Sequence, residues 1–224
     1  MSRKKESNMN RDEIYELFTK DAILHDKPIA IITMGIPGSG KSTIVKKFIN
    51  KNIHKIISRK SKYNYKEFVN CNPDEFLQFI DEEDPKKKLG IASRKNASLL
   101  KRIRESQNKL SVIYDGTGVN LSSYKGNINK FIENGYLPIL IYVKTNPIVA
   151  KNRIKKRSRK VSNSNVDRIL EKLDEDIENK ETKQKMKKYE YYKSMVLNDA
   201  GIYIVIDNTF RGKIIDSNKP TLVI

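Results

Sequence analysis

Apolar residues in this chain collect into short, dense runs, and the stretches between them mix charge with an apolar stripe. Residues 28–34 (PIAIITM) are almost wholly apolar, as a strand buried on both faces would be, and they end at a glycine-rich turn from which residues 42–50 continue as a helix. Similar runs at 68–72, 111–114, 137–143 and 202–206 predict further buried strands. Helix-like segments separate most of them. That alternation predicts an α/β fold around a central, mainly parallel sheet of about five strands.

Local signals place the helices. Asn10-Arg11-Asp12-Glu13 has the form of a capping box, opening a helix over 11–25 with Ile14, Leu17 and Phe18 on one face and leaving the basic residues 1–10 disordered. Ile128, Phe131 and Ile132 make a stripe that Gly135 can terminate. Asn146-Pro147 supplies a cap and a first-turn proline for a helix that runs into the basic segment 151–160. Residues 166–198 read as helical, with Ile169, Leu173 and Ile177 early, Tyr189, Tyr192 and Val196 late, and a polar middle that can bend or break the helix. Without an internal repeat or a Gly/Ser linker, residues 1–224 are expected to form one domain.

Composition narrows the function classes. A chain that is 38% hydrophobic and 32% charged is too apolar for overall disorder. Its net charge of +18 would attract phosphates and nucleic acid, although the excess is mostly lysine and spread along the sequence, as a compositional bias would leave it. Nucleic acid therefore stays open as a partner. Cys71 is the only cysteine, which excludes an intrachain disulfide and a cysteine metal cluster. The N-terminus lacks an apolar leader, and no apolar run reaches the roughly 18 residues of a membrane span. A cytoplasmic protein with no membrane partner is expected. His25 and His54 have no metal-ligand spacing and receive no role.

Gly35-Ile36-Pro37-Gly38-Ser39-Gly40-Lys41-Ser42 is a complete G-x-x-x-x-G-K-[ST] sequence between a predicted strand and a predicted helix. Glycines there let the backbone turn its N–H groups onto phosphate oxygens, and the helix presents its positive end to the same anion. Gly35, Pro37, Gly38, Ser39, Gly40, Lys41, Ser42 and Thr43 are thus the candidate nucleotide-binding residues. Lys41 would reach the β- and γ-phosphates of ATP, and the Ser42 hydroxyl would join the shell of Mg²⁺. This fixes a three-layer P-loop NTPase fold as the expected class.

Two further strand ends carry carboxylates. Asn72-Pro73-Asp74-Glu75-Phe76 brings Asp74 to the carboxyl end of the second strand, where it could take the proton of an attacking hydroxyl; the same residues also read as a helix start capped by Asn72. Asp115-Gly116-Thr117-Gly118 follows the third strand, where Asp115 and Thr117 could hold acceptor hydroxyls or order metal-bound water, or simply form a turn.

Taken in order, G-x-P-G-S-G-K-S, N-x-D-x-F, D-G-T-G and a final arginine-rich segment resemble the zeta toxin family of P-loop kinases, allied to the polynucleotide-kinase-like group, across roughly residues 28–162. The resemblance implies Asp74 as general base, Lys41 as the phosphate-loop lysine, and Asp115 and Thr117 in the acceptor pocket. It also implies catalytic arginines on a short lid over 153–165, for which the chain offers Arg153, Arg157 and Arg159. An ATP/Mg²⁺-dependent kinase acting on a nucleotide-sugar or other small nucleotide-like acceptor is the expectation that follows. A kinase of polynucleotide 5′-hydroxyls and a nucleotide-gated binding protein are the alternatives. Two departures fall on the acceptor and lid side: Val119-Asn120 stand where the family usually has an arginine, and Ser162 where a proline is common. Asp207-Asn208-Thr209 looks like the family's closing strand-to-loop segment near the adenine, and equally like a turn. An inhibitory protein partner would leave no mark in a single sequence.

Overall fold

The computed structural model describes residues 9–25, 27–56, 63–156, 161–179, 183–219 and 221–222. In chain order the elements are helix α1 (Arg11–Thr19), strand β1 (Ile29–Met34), α2 (Lys41–Ile56), β2 (Val69–Cys71), α3 (Pro73–Phe76), α4 (Pro85–Glu105), β3 (Val112–Tyr114), α5 (Leu121–Glu133), β4 (Leu137–Lys144), α6 (Pro147–Lys155), α7 (Asn163–Asp174), β5 (Asp176–Glu178), β6 (Lys185–Lys187), α8 (Lys188–Asn198), β7 (Ile202–Asp207) and β8 (Lys213–Ser217). The main sheet has six strands in the order β2-β3-β1-β4-β7-β8. All of its pairings are parallel except β7 with β8.

Period-two alternation along the central strands builds a core on each face. In β1, Ala30, Ile32 and Met34 join the cluster that α4, α5, α7 and α8 cover, while Ile29 and Ile31 face Ile44, Phe48, Ile49 and Ile53 of α2. Leu140 and Tyr142 of β4 divide from Ile139 and Ile141 in the same way. The sheet is therefore sandwiched between helices, and strands buried on both faces account for the unbroken apolar runs in the sequence. Phe48 is fully buried, and its truncation to alanine should cost about 3–5 kcal/mol.

Several expected boundaries move. The Asn10 side chain accepts from the Asp12 and Glu13 amides and Glu13 bonds back to the Asn10 amide, but the helix stops at Thr19 instead of reaching residue 25. Met9 and Asn10 are part of the described fold, Met9 packing against the core, while residues 1–8 lie outside the described residues. The sheet gains an antiparallel edge strand, β8, and the long helix expected over 166–198 is split by the β5–β6 hairpin. Both were hidden because their residues are short, charged and half-exposed. The lid expected over 153–165 resolves into the end of α6 and the start of α7, which Ser162 caps; residues 157–160, with Arg157 and Arg159, lie outside the described residues.

Candidate active site

Because β2, β3, β1, β4 and β7 are parallel, the segments that follow them line one edge of the sheet. In spatial order these are Asn72–Asp74, Asp115–Thr117, the glycine-rich loop, Thr145–Asn146 and Asn208–Thr209. Open α/β sheets bind ligands at this edge, and the crossover between β1 and its two neighbours makes the crevice.

The glycine-rich loop is shaped by backbone that other residues resist. Gly38 and Gly40 have φ values of +81° and +88°, and a Cβ on either would approach within 2.4 Å of the Ala150 carbonyl oxygen or the Asn208 side-chain nitrogen, respectively. The Ser39 carbonyl is a hub that accepts from Asn208 Nδ2 at 2.7 Å, Thr145 Oγ1 at 3.1 Å and Arg153 at 3.5 Å. Ser39 Oγ, by contrast, is buried with no hydrogen-bond partner among the described residues, an orphaned donor inside the loop that suits a phosphate oxygen. Lys41 Nζ reaches back over the loop to the carbonyls of Gly35 at 3.0 Å and Ile36 at 3.3 Å. Pro37 is partly buried beside it. Ser42 and Thr43 are exposed on the first turn of α2, where a hydroxyl can meet a cation that the nucleotide brings. Among the described residues no cluster of His, Cys, Asp or Glu could hold a metal by itself.

Arg153 sits on this nucleotide side. Besides its contact to Ser39 it donates to the Thr209 carbonyl at 3.2 Å, and Thr209 Oγ1 accepts from the Asn146 amide at 3.1 Å. Asp207 holds that turn by accepting from the Thr209 hydroxyl at 2.6 Å and its amide at 2.9 Å, and those bonds lower the Asp207 pKa below the usual carboxylate range.

Beyond β1 the walls are made by side chains. Asp115 accepts from Thr33 Oγ1 at 2.6 Å and from Asn72 Nδ2 at 3.0 Å, so the ends of β1, β2 and β3 converge on it. Thr117 joins the nucleotide loop through its carbonyl, which accepts from the Gly35 amide at 3.1 Å. Asp74 is exposed in the first turn of α3, capped by Asn72, whose side chain accepts from the Asp74 amide at 2.9 Å. Its neighbour Pro73 lines a cavity of about 920 Å³ together with Asp115, Thr117, Arg104, Asn127 and Arg168. Burial disfavours the charge on Arg104, while nearby Glu105 favours it.

In sequence, residues 16–211 match the family described as Zeta toxin. The chain belongs to the zeta toxin family. Among solved structures, one from the PezAT chromosomal toxin–antitoxin system of Streptococcus pneumoniae superposes with a TM-score of 0.66 at 14% identity, over 100% of this chain and 86% of that one. The AvrRxo1-ORF1:-ORF2 structure with ATP gives 0.66 at 12% identity over 96% of this chain and 67% of that one. With sulphate ions the same pair of proteins gives 0.63 at 11% identity, over 92% and 66%. At these identities the likeness is one of fold. No curated protein sequence matches the chain.

For this zeta-family chain, then, the expected residues fall into two groups along one sheet edge. Gly35 to Thr43 and Arg153 lie on the nucleotide side; Asp115 and Thr117 line the cavity, and Asp74 follows Pro73 of its wall without lining it. Sequence reasoning missed Thr33, Asn72 as an Asp115 ligand, Asn208 as a brace for Ser39, and the cavity residues Arg104, Asn127 and Arg168. Arg168 stands on the polar flank of the α7 stripe formed by Val166, Ile169 and Leu173, which marks it as solvent-facing but gives no signal of a cavity.

Proposed function

We propose that the protein is an ATP/Mg²⁺-dependent kinase that transfers the γ-phosphoryl group to a hydroxyl of a nucleotide-sugar or other small nucleotide-like acceptor seated in the cavity beside Asp115. Family membership and the phosphate-loop fold support the ATP-dependent kinase; the acceptor is our own reading. The observation that carries it is the continuity of the edge: the nucleotide loop, Asp115 and the roomy, polar-walled cavity are joined by the Gly35–Thr117 and Thr33–Asp115 hydrogen bonds.

In this reading the acceptor oxygen forms a bond to the γ-phosphorus as the bond to the β,γ-bridging oxygen breaks, and the hydroxyl proton passes to the Asp74 carboxylate. Lys41 and the loop amides hold the phosphates in line; Ser42 is the residue that would join the shell of a Mg²⁺ ion, which would supply charge neutralisation at the phosphates. Asp115 and Thr117 orient the acceptor. Arg153 braces the nucleotide loop, and Arg157 and Arg159 remain the proposed γ-phosphate arginines. The reaction belongs in a cytoplasm, where ATP is at hand, and no described helix is long and apolar enough to cross a membrane. A protein partner that inhibits the enzyme belongs to the same reading, since one similar structure comes from a toxin–antitoxin system.

One observation favours polynucleotide ends as an alternative acceptor: α4, beside the cavity, carries eight lysines and arginines against the single carboxylate of Glu105. A transfer assay decides between them. Labelled γ-phosphate from ATP/Mg²⁺ is offered to UDP-N-acetylglucosamine, other nucleotide sugars, nucleosides and 5′-hydroxyl oligonucleotides, with Lys41→Ala as control. Labelling of a sugar nucleotide that the control lacks is the expected result. Labelling of oligonucleotide ends alone would move the acceptor to the alternative, and absence of transfer with ATP still bound would overturn the kinase reading for this panel.

A further inference from the structure

Arg104, in the last turn of α4, is only 5% exposed, yet it is paired with no described carboxylate. Its guanidinium lies 5.5 Å from the centre of the Phe131 ring and donates to Asn127 Oδ1 at 2.5 Å. A guanidinium carries several further N–H donors in a planar fork, and although the exposed neighbour Glu105 favours its charge, burying such a cation with no carboxylate bonded to it is unfavourable. Arg104 also lines the cavity that holds Asp115 and Thr117, so those donors have an open space to serve.

Asn127 fixes the arrangement. Its Nδ2 donates to the Ser123 carbonyl at 2.9 Å and to the Tyr114 hydroxyl at 3.2 Å, which leaves Oδ1 turned to Arg104. A neutral amide in that place aims the guanidinium without cancelling its charge. The rest of the wall repeats the sign: Lys101, Lys130, Arg168 and Lys172 line the cavity, and its sole carboxylate among the described residues, Asp115, is turned to Thr33 and Asn72.

We propose that Arg104, aimed by Asn127, is the anion receptor of the acceptor cavity, so that the molecule bearing the reactive hydroxyl also bears a phosphate group held by the Arg104 fork. Planar bidentate recognition of phosphate is the chemistry at which arginine exceeds lysine. The proposal rests on the kinase reading for what the cavity receives, but its test needs no turnover. Arg104 is a specificity residue and Asn127 a positioning residue.

The experiment uses the full chain saturated with a non-hydrolysable ATP analogue and Mg²⁺, which occupies the nucleotide loop, and titrates inorganic phosphate by NMR chemical shift. Uridine 5′-monophosphate against uridine forms a second arm. Wild-type protein should bind phosphate and should prefer the monophosphate. Arg104→Gln should weaken phosphate at least about tenfold, the effect of losing a charge-assisted bond, and Arg104→Lys should retain part of it. Asn127→Asp sets a carboxylate against the guanidinium and should weaken phosphate comparably while the chain stays folded by circular dichroism, so the result does not hinge on Arg104→Gln folding. Phosphate affinity unchanged in folded Asn127→Asp and Arg104→Lys, or no phosphate binding by the loaded wild type, would overturn the proposal. Failure of the γ-phosphoryl transfer assay would instead sink the kinase reading and leave this titration interpretable.

Discussion

The two halves of the sheet edge are built from different materials. On the β1–β4–β7 side, glycine conformations and carbonyl hubs set the shape: Gly38 and Gly40 at positive φ, and Ser39 O held by Asn208, Thr145 and Arg153. On the β2–β3 side, side chains from α4, α5 and β3 set it: Arg104, Asn127 and Tyr114 around a cavity of about 920 Å³. Backbone geometry suits a ligand whose form never varies, a polyphosphate. Side chains suit a ligand that differs between relatives, because they change one substitution at a time without moving the fold.

The sharpest way to break the comparison is to remove chemistry while leaving both walls standing. Asp74→Asn keeps size and the first turn of α3, and Asp74 is exposed, so the fold should be indifferent. Turnover should fall by about 10²–10⁴, the usual share of a general base, with ATP affinity unchanged by calorimetry. Undiminished turnover would move the base elsewhere on the edge.

Next in size is an attack on the backbone-built half. Gly38→Ala must adopt a φ near +81° and place its Cβ 2.4 Å from the Ala150 carbonyl, a contact with main chain of α6 that no rotamer relieves. The left-handed conformation alone costs about 1–2 kcal/mol, so ATP affinity should fall roughly tenfold or more. Phosphate bound at Arg104 should be untouched. Equal losses at both sites would mean that the halves are one unit.

This asymmetry also explains what could be read in the sequence. The nucleotide half was legible because glycine marks conformations that other residues avoid, and the five parallel strands were legible because burial on both faces forces unbroken apolar runs such as Ile139 to Val143. The β2–β3 half, our proposed acceptor side, was not. Arg104 follows Leu99, Leu100 and Ile103, and nothing along the chain says that α4 turns it toward Asn127 from a different helix; the pairing exists only once both helices pack on one face of the sheet. Thr33 sits inside an apolar run that reads as core, yet its hydroxyl donates to Asp115. The β8 edge strand alternates exposed with half-buried residues, too weak a pattern to separate from a loop. Asp207-Asn208-Thr209 looks in sequence like a segment near the adenine or like a simple turn, and neither reading contains the Asn208 side chain's bond to the Ser39 carbonyl.

Thr33→Val sharpens the comparison from inside β1, a strand that serves both halves. It keeps the shape of a fully buried side chain and deletes the donor to Asp115 and the acceptor of the Gly116 amide at 3.2 Å. Stability should drop by about 1 kcal/mol, the low end for leaving a buried polar group unmatched, read as a lowered Tm. The KM for acceptor should rise several-fold while that for ATP holds, because Asp115 borders the cavity and the Thr33 hydroxyl bonds to Asp115 and Gly116. A rise confined to ATP would reverse the assignment of Asp115.

The smallest expected effect concerns the outer brace of the nucleotide half. Asp207 holds the Thr209 turn as a carboxylate, and its folded pKa is lowered by those hydrogen bonds. The contribution is therefore fully present above the ordinary aspartate range and disappears as pH falls through the lowered folded value. Since Thr209 in turn meets Asn146 and accepts from Arg153 through its carbonyl, loosening the turn reaches the Ser39 hub only through these intermediates. Asp207→Asn should raise the Kd for ATP by about threefold near pH 7, less than one charge-assisted hydrogen bond, and acidification of wild type through the lowered folded value should approach the same Kd. The variant should show less of this acid-side change than wild type. If its pH profile ran parallel to wild type, the titrating group would lie elsewhere and the turn would brace the loop by packing alone.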